Sequence, residues 1–194
     1  MTRLGGWLFR HRTIIPLPLV IAAVVIPAGG VAPAWLVAAI GVALTILGEM
    51  IRLWAVRYIG AVSRTRSERL GPLIAAGPFA IVRNPLYIGN IVLWVGFAIA
   101  AQLLWLVPIV IAVLAVEYHA IVTWEEQLLE ARLGEDYRVY TQRVPRWIPG
   151  RHRGDRGLRR RTPSFGWRET LFSERGTLIA MALGYLFLWL KARS

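Results

Sequence analysis

The sequence predicts an all-α integral membrane protein, and three observations carry that expectation. More than half of its residues (56%) are apolar. They are gathered into blocks, since residues 13–48 and 86–116 contain no charged side chain. A helix crosses a bilayer with roughly 20 apolar residues, so these blocks read as spans rather than as a soluble core. The charges flank the blocks: the formal net charge is +12, and Lys191 is the only lysine among many arginines. That placement fits an anionic leaflet surface and excludes nucleic acid as the expected partner. With no cysteine, disulfides and thiolate metal sites are excluded, and no metal site is expected.

The first span is expected over residues 13–27, with Pro16 and Pro18 near its start, where a helix tolerates proline best. Arg3, Arg10 and Arg12 before this run, with Ala32-Pro33-Ala34 after it, have the outline of a signal peptide. A second apolar run follows at once, which favours an uncleaved span. That second span is expected over 34–58. Glu49 and Arg52, three residues apart, share one of its faces. They form either a pair at headgroup level or an inward pair beside a polar cavity.

Residues 60–76 form an arginine- and serine-rich connector. The uncharged block 86–116 would run to about 46 Å as one helix, more than a bilayer core, so a hairpin turning near Gln102 is expected. Its arms are spans at 85–101 and 103–123. From Trp124 to Arg143, apolar and charged residues alternate at three- and four-residue steps, as in an amphipathic interfacial helix broken at Gly134.

Residues 1–149 therefore constitute one membrane domain, with a cytosolic block at 124–149. Residues 150–175 read as a basic linker that touches anionic lipid, and 176–191 as an apolar helix, a candidate fifth span. Four to five transmembrane helices result. The basic regions all fall on one side of the predicted topology, and the uncharged turns at Gly29 and Gln102 on the other. The polar motifs are thereby expected to face the cytoplasm, from a bacterial inner membrane.

Two polar stretches stand out. Gly77-Pro78-Phe79-Ala80-Ile81-Val82-Arg83-Asn84-Pro85-Leu86-Tyr87-Ile88-Gly89 sits at a predicted membrane boundary. Arg83 and Asn84 precede Pro85 at a helix start, where free amides and the dipole favour an anionic group. Arg83 adds a forked donor suited to carboxylate or phosphate. The Tyr87 ring, one turn on, can stack on a heterocycle or face a cation. Glu125 and Glu126 open the second stretch and can hold an ammonium or ribose hydroxyls. The alternative is a snorkelling arginine, an interfacial tyrosine and an exposed helix start.

Gly-Pro-Phe followed by Arg83-Asn84-Pro85-Leu86-Tyr87-Ile88-Gly89 resembles the signature of the isoprenylcysteine carboxyl methyltransferase and phospholipid N-methyltransferase superfamily of membrane enzymes. Glu125-Glu126, Gly134-Glu135-Asp136-Tyr137, Tyr140 and Val144-Pro145-Arg146-Trp147-Ile148-Pro149 resemble its second block at the expected distance. The resemblance covers roughly residues 52–149. It implies a small helical bundle with no Rossmann domain, binding S-adenosylmethionine between the spans and the cytosolic block.

Carried over by position, Leu73, Ile74 and Phe79 would line the cofactor loop, and Asn84, Pro85, Leu86 and Tyr87 would form its wall. Glu125 would bind the cofactor from the second block, with Arg83 and Tyr137 in support. Two positions depart from the pattern: Asn84 stands where histidine is usual, and Ile121 where carboxyl-methylating members carry an arginine. The implied function is methyl transfer to the polar group of a lipid-like amphiphile, of the isoprenylcysteine carboxylate or phospholipid amine class. The partner is a membrane lipid or lipidated substrate. An amine acceptor must lose a proton, for which Glu126 is the candidate catalytic base. The competing expectations are an NADPH-dependent sterol-reductase-like enzyme and a non-enzymatic membrane scaffold.

Overall fold

The computed structural model describes residues 2–12, 16–27, 29, 33–60, 73–149 and 165–193. Among them there are seven α-helices and no strand: α1 (Thr2–His11), α2 (Leu17–Val25), α3 (Ala34–Ile59), α4 (Pro85–Ala100), α5 (Leu106–Leu133), α6 (Glu135–Arg143) and α7 (Trp167–Lys191). A short 3-10 helix, Gly77–Ala80, precedes α4. The connector at 61–72 and the arginine-rich part of the linker at 150–164 lie outside the described residues.

Helices α3, α5 and α7 are long and apolar enough to cross a membrane, and α4 is a shorter apolar helix. Large apolar side chains point outward along them, among them Trp35, Ile46, Met50, Ile111, Val116, Leu183 and Phe187. Such a surface is costly in water and suits lipid.

The pairing of α3 with α4 rests on small residues. Gly41, Thr45 and Gly48 lie at helical spacing on α3, facing Gly89, Gly96 and Ala100 on α4. A Cβ on Gly48 would stand 2.5 Å from the Leu93 nitrogen, and one on Gly41 2.3 Å from the Ala100 nitrogen. Only glycine allows this approach, which brings the backbones into direct van der Waals contact where no hydrophobic drive joins helices. The core lies on the other face of α4, where Tyr87 and Phe97 meet Leu106, Val110, Leu114, Tyr118, Ile121 and Val122 of α5. Helix α1 crosses α5, with Gly5 against Ala120 and Trp124 and the Phe9 ring 5.2 Å from that of Trp124.

The two ends of the bundle differ. At one, the Gly29 amide donates to the Gln102 carbonyl at 3.2 Å, and the Lys191 ammonium donates to the Ala23 carbonyl at 2.9 Å. Gln102 turns the chain between α4 and α5 with φ 59°. At the other end lie the 3-10 helix, the start of α4, α6 and the start of α7. There the Phe165 amide donates to the Arg57 carbonyl at 3.0 Å.

Three boundaries differ from the sequence expectation. In place of a span over 13–27 there is α2, nine residues and about 14 Å long, too short for a bilayer core of roughly 30 Å. It starts after Pro16 with Pro18 in its first turn, α1 is a separate helix that ends at His11, and residues 13–15 lie outside the described residues. No helix begins at Trp124: nothing between Pro108 and Gly134 breaks a helix, so α5 continues through Glu125 and Glu126 to Leu133, and its last turns reach past the apolar layer. Gly134, at φ 55°, then turns the chain into α6. The linker at 150–175 also ends early. Helix α7 begins at Trp167, where the Glu169 carboxylate accepts the Gly166 amide at 2.8 Å and caps the first turn.

Candidate functional site

The first motif is sewn to the second by backbone and side chain alike. The Arg83 amide donates to the Pro145 carbonyl at 2.9 Å. The Asn84 amide nitrogen donates to the Arg146 carbonyl at 3.2 Å. From α6, the Tyr140 hydroxyl donates to the Phe79 carbonyl at 2.7 Å. Between the motifs stands Glu126: Arg83 Nη1 lies 3.2 Å from one carboxylate oxygen, and Arg146 donates to both, at 3.2 and 2.5 Å. Charge-assisted forks of this kind fix geometry as well as supplying energy.

Leu73 packs on the buried cluster of Tyr137, Tyr140 and Val144, together with Leu129 and Leu133. Arg83 also hydrogen-bonds the Tyr137 hydroxyl, and burial raises the Tyr137 and Tyr140 phenols above the ordinary tyrosine range. Both therefore stay neutral at physiological pH.

One turn into α4, the Tyr87 hydroxyl donates to Glu125 Oε2 on α5 at 3.0 Å. The Tyr87 ring lies 4.8 Å from that of Tyr118 and tilts against it, so two aromatic faces stand beside a carboxylate. Pro85 is fully buried as the first residue of α4, while Ile74 and Leu86 are half-buried. The structure thus gathers Leu73, Phe79, Arg83, Asn84, Tyr87, Glu125, Glu126 and Tyr137 at one end of the bundle.

Several residues of this region escape sequence reasoning. Arg12, at the end of α1, stacks its guanidinium 4.3 Å over Phe9 and acts electrostatically on Tyr87, Glu117, Tyr118 and Glu125. Glu117 is buried, and neither of its oxygens has a hydrogen-bond partner among the described residues. A lone glutamate in an apolar run was the available signal for it. The Glu49–Arg52 pair resolves inward: Arg52 Nε donates to Glu49 Oε2 at 3.2 Å, and Glu49 is 4% exposed. Arg52 also bonds Asn90 of α4 and Glu174 of α7. Ile121 is wholly buried in the apolar core.

The fold and this end-on polar site define a helical membrane protein in which ionic motifs from separate helices converge at one end of the bundle. The family model for phospholipid methyltransferases matches residues 36–136, and the chain belongs to that family. Over 110 residues the chain is 30% identical to a nickel-cobalt-cadmium resistance protein, NccN, of Alcaligenes xylosoxydans xylosoxydans, covering 57% of this chain and 47% of that one. It is 29% identical over 123 residues to protein-S-isoprenylcysteine O-methyltransferase B of Arabidopsis thaliana, covering 59% of this chain and 60% of the relative. The chain thus spans about half the length of the first of these relatives and three fifths of the other. No solved structure matches it.

Proposed function

We propose that this chain is an S-adenosylmethionine-dependent methyltransferase of the membrane, acting on the polar group of a lipid-like amphiphile. One observation carries the reading: Tyr87 and Glu125, from the two separate motifs, meet at 3.0 Å beside a second aromatic face, Tyr118. Family membership supports methyl transfer as the reaction class.

The residues fit the cofactor. A flat heterocycle and a sulfonium suit the tyrosine faces, and Glu125 suits an ammonium or ribose hydroxyls. The Arg83 Nε is a buried donor without a partner among the described residues, which suits a carboxylate. When bound, the cofactor supplies an electrophilic methyl group and leaves as a neutral thioether. The protein's part is to hold acceptor and donor in line and to exclude water.

In this reading Glu126 is a clamp and not a base. Arginines engage both of its oxygens, and releasing them would remove the ionic part of the join between the motifs. Ile121, apolar and buried, offers an acceptor carboxylate no charge. The acceptor remains in the carboxylate or amine class of membrane amphiphile. The similarity to an isoprenylcysteine methyltransferase supports the former, the family description the latter.

The arginine distribution supports a site on the cytoplasmic side of a bacterial inner membrane, with residues 150–161 against anionic lipid. Incubating the purified protein with methyl-labelled S-adenosylmethionine and a total lipid extract tests the proposal. Label is expected in an extractable lipid or lipidated product, and its absence with every lipid fraction would contradict it.

A further inference from the structure

Arg52 sits deep in an apolar bundle and spends every side-chain nitrogen on a different helix or turn. Its Nε donates to Glu49 on its own helix, Nη1 to Asn90 Oδ1 on α4, and Nη2 to both Glu174 and Thr177 Oγ1 on α7, the last at 3.2 Å. Thr177 in turn donates to Glu174 at 3.1 Å. The Asn90 side chain, fixed at its oxygen by Arg52, faces the Tyr118 hydroxyl. The Tyr118 ring lies 4.8 Å from that of Tyr87, whose hydroxyl holds Glu125. A continuous chain of contacts therefore runs from α7 through α3, α4 and α5 to the proposed donor site.

Charge balance does not explain Glu174. Glu49 alone can pair with Arg52, and a second carboxylate joins the same buried cluster, in which Glu49 Oε1 has no hydrogen-bond partner among the described residues. Nor does docking explain it. Helix α7 already fits the bundle where Gly184 meets the Phe97 ring and where the Tyr185 hydroxyl donates to Thr45 Oγ1 at 2.7 Å. What Glu174 and Thr177 add is orientation: they hold Nη2 of a guanidinium whose Nε and Nη1 rest on Glu49 and Asn90, and so keep Nη1 aimed at Asn90.

We propose that Glu174 and Arg52 are positioning residues for methyl transfer: together they set Asn90, which sets the Tyr118 ring against which Tyr87 is held. The C-terminal helix α7, outside the residues matched by the family model, is then part of the working site and not an anchor alone. This inference rests on the methyltransferase reading for its functional consequence, but the linkage from Glu174 to Tyr118 stands independently of it.

The test uses the full chain in lipid nanodiscs, with wild type, Glu174→Gln, Glu174→Asp and the outward-facing control Phe172→Ala. Donor affinity is read by calorimetry, methyl transfer by kcat and KM, folding by thermal melting, and the linkage by NMR of carbon-13-labelled tyrosine. Glu174→Gln is expected to shift the Tyr118 and Tyr87 signals and to lower kcat by about tenfold or more, as small misplacements do. Glu174→Asp is expected to restore most of the rate, and Phe172→Ala to leave it unchanged. Unchanged tyrosine signals, or an unchanged rate in Glu174→Gln, would overturn the inference. So would a rate loss that only follows a fall in melting temperature and that aspartate does not rescue. Wild type failing to bind the donor would instead overturn the methyltransferase reading, and the tyrosine signals would still decide the linkage.

Discussion

The hydroxyl of Tyr87 donates to Glu125 at 3.0 Å, joining the first turn of α4 to the last turns of α5 across 38 residues of sequence. Both side chains belong to the proposed donor site, so the bond both shapes that site and closes the helix pair. Replacing Tyr87 by phenylalanine keeps the ring against Tyr118 but frees the carboxylate. The expected result is weaker donor binding, measured by calorimetry, with a stability loss of only about 1 kcal/mol.

Glu126 answers to a different measurement. Removing it leaves Arg83 and Arg146 facing each other without their shared carboxylate. Glu126→Gln is expected to destabilise the chain by about 3 kcal/mol, the order found when a buried pair loses one partner. Thermal melting reads that loss. The pH dependence of the residual rate is expected to keep its shape, whereas loss of a general base would remove the acidic limb.

The α3–α4 contact is a packing prediction. A Cβ on Gly48 would meet the Leu93 nitrogen at 2.5 Å and the Gly89 carbonyl oxygen at 2.6 Å, neither of which can move alone. Gly48→Ala is expected to cost about 1–3 kcal/mol by overpacking and to lower the melting temperature in detergent. Gly134→Ala meets no neighbour, and its cost is confined to the strained φ of 55°.

Alkaline pH offers a further check. Burial raises the Tyr137 and Tyr140 phenols, so the folded chain holds their protons more tightly than the unfolded chain does. Their contribution to stability is complete below the unfolded tyrosine pKa of about 10 and declines as pH rises above it. Tyr140→Phe removes one of these groups and leaves the Phe79 carbonyl without its donor. It is expected to flatten the alkaline decline and to cost about 1–3 kcal/mol at neutral pH.

The membrane class and the two motifs were legible because they depend on local composition and spacing. Uncharged blocks mark helices in lipid, and the run from Arg83 to Gly89 keeps its residues adjacent whatever the fold. Helix boundaries were less so. A change of composition at Trp124 looks like a helix start, but with no glycine or proline there the backbone has no reason to stop. Likewise, the basic linker expected to run to residue 175 takes in Glu169 and Glu174, yet Glu169 caps α7 and Glu174 is buried against a partner 122 residues away. Arg12, Asn90, Tyr118 and Glu174 join the site region only through tertiary packing, and no local pattern points to them.

The central claim is that the Tyr87–Glu125 region binds a methyl donor. Calorimetric titration of S-adenosylhomocysteine, the spent form of the proposed donor, into purified wild type and into Glu125→Ala tests it most directly. Saturable binding by wild type that is weakened about tenfold or more in a folded Glu125→Ala variant is the predicted result, since tenfold corresponds to roughly one charge-assisted hydrogen bond. Equal affinity in both proteins, or no binding by wild type, would contradict it.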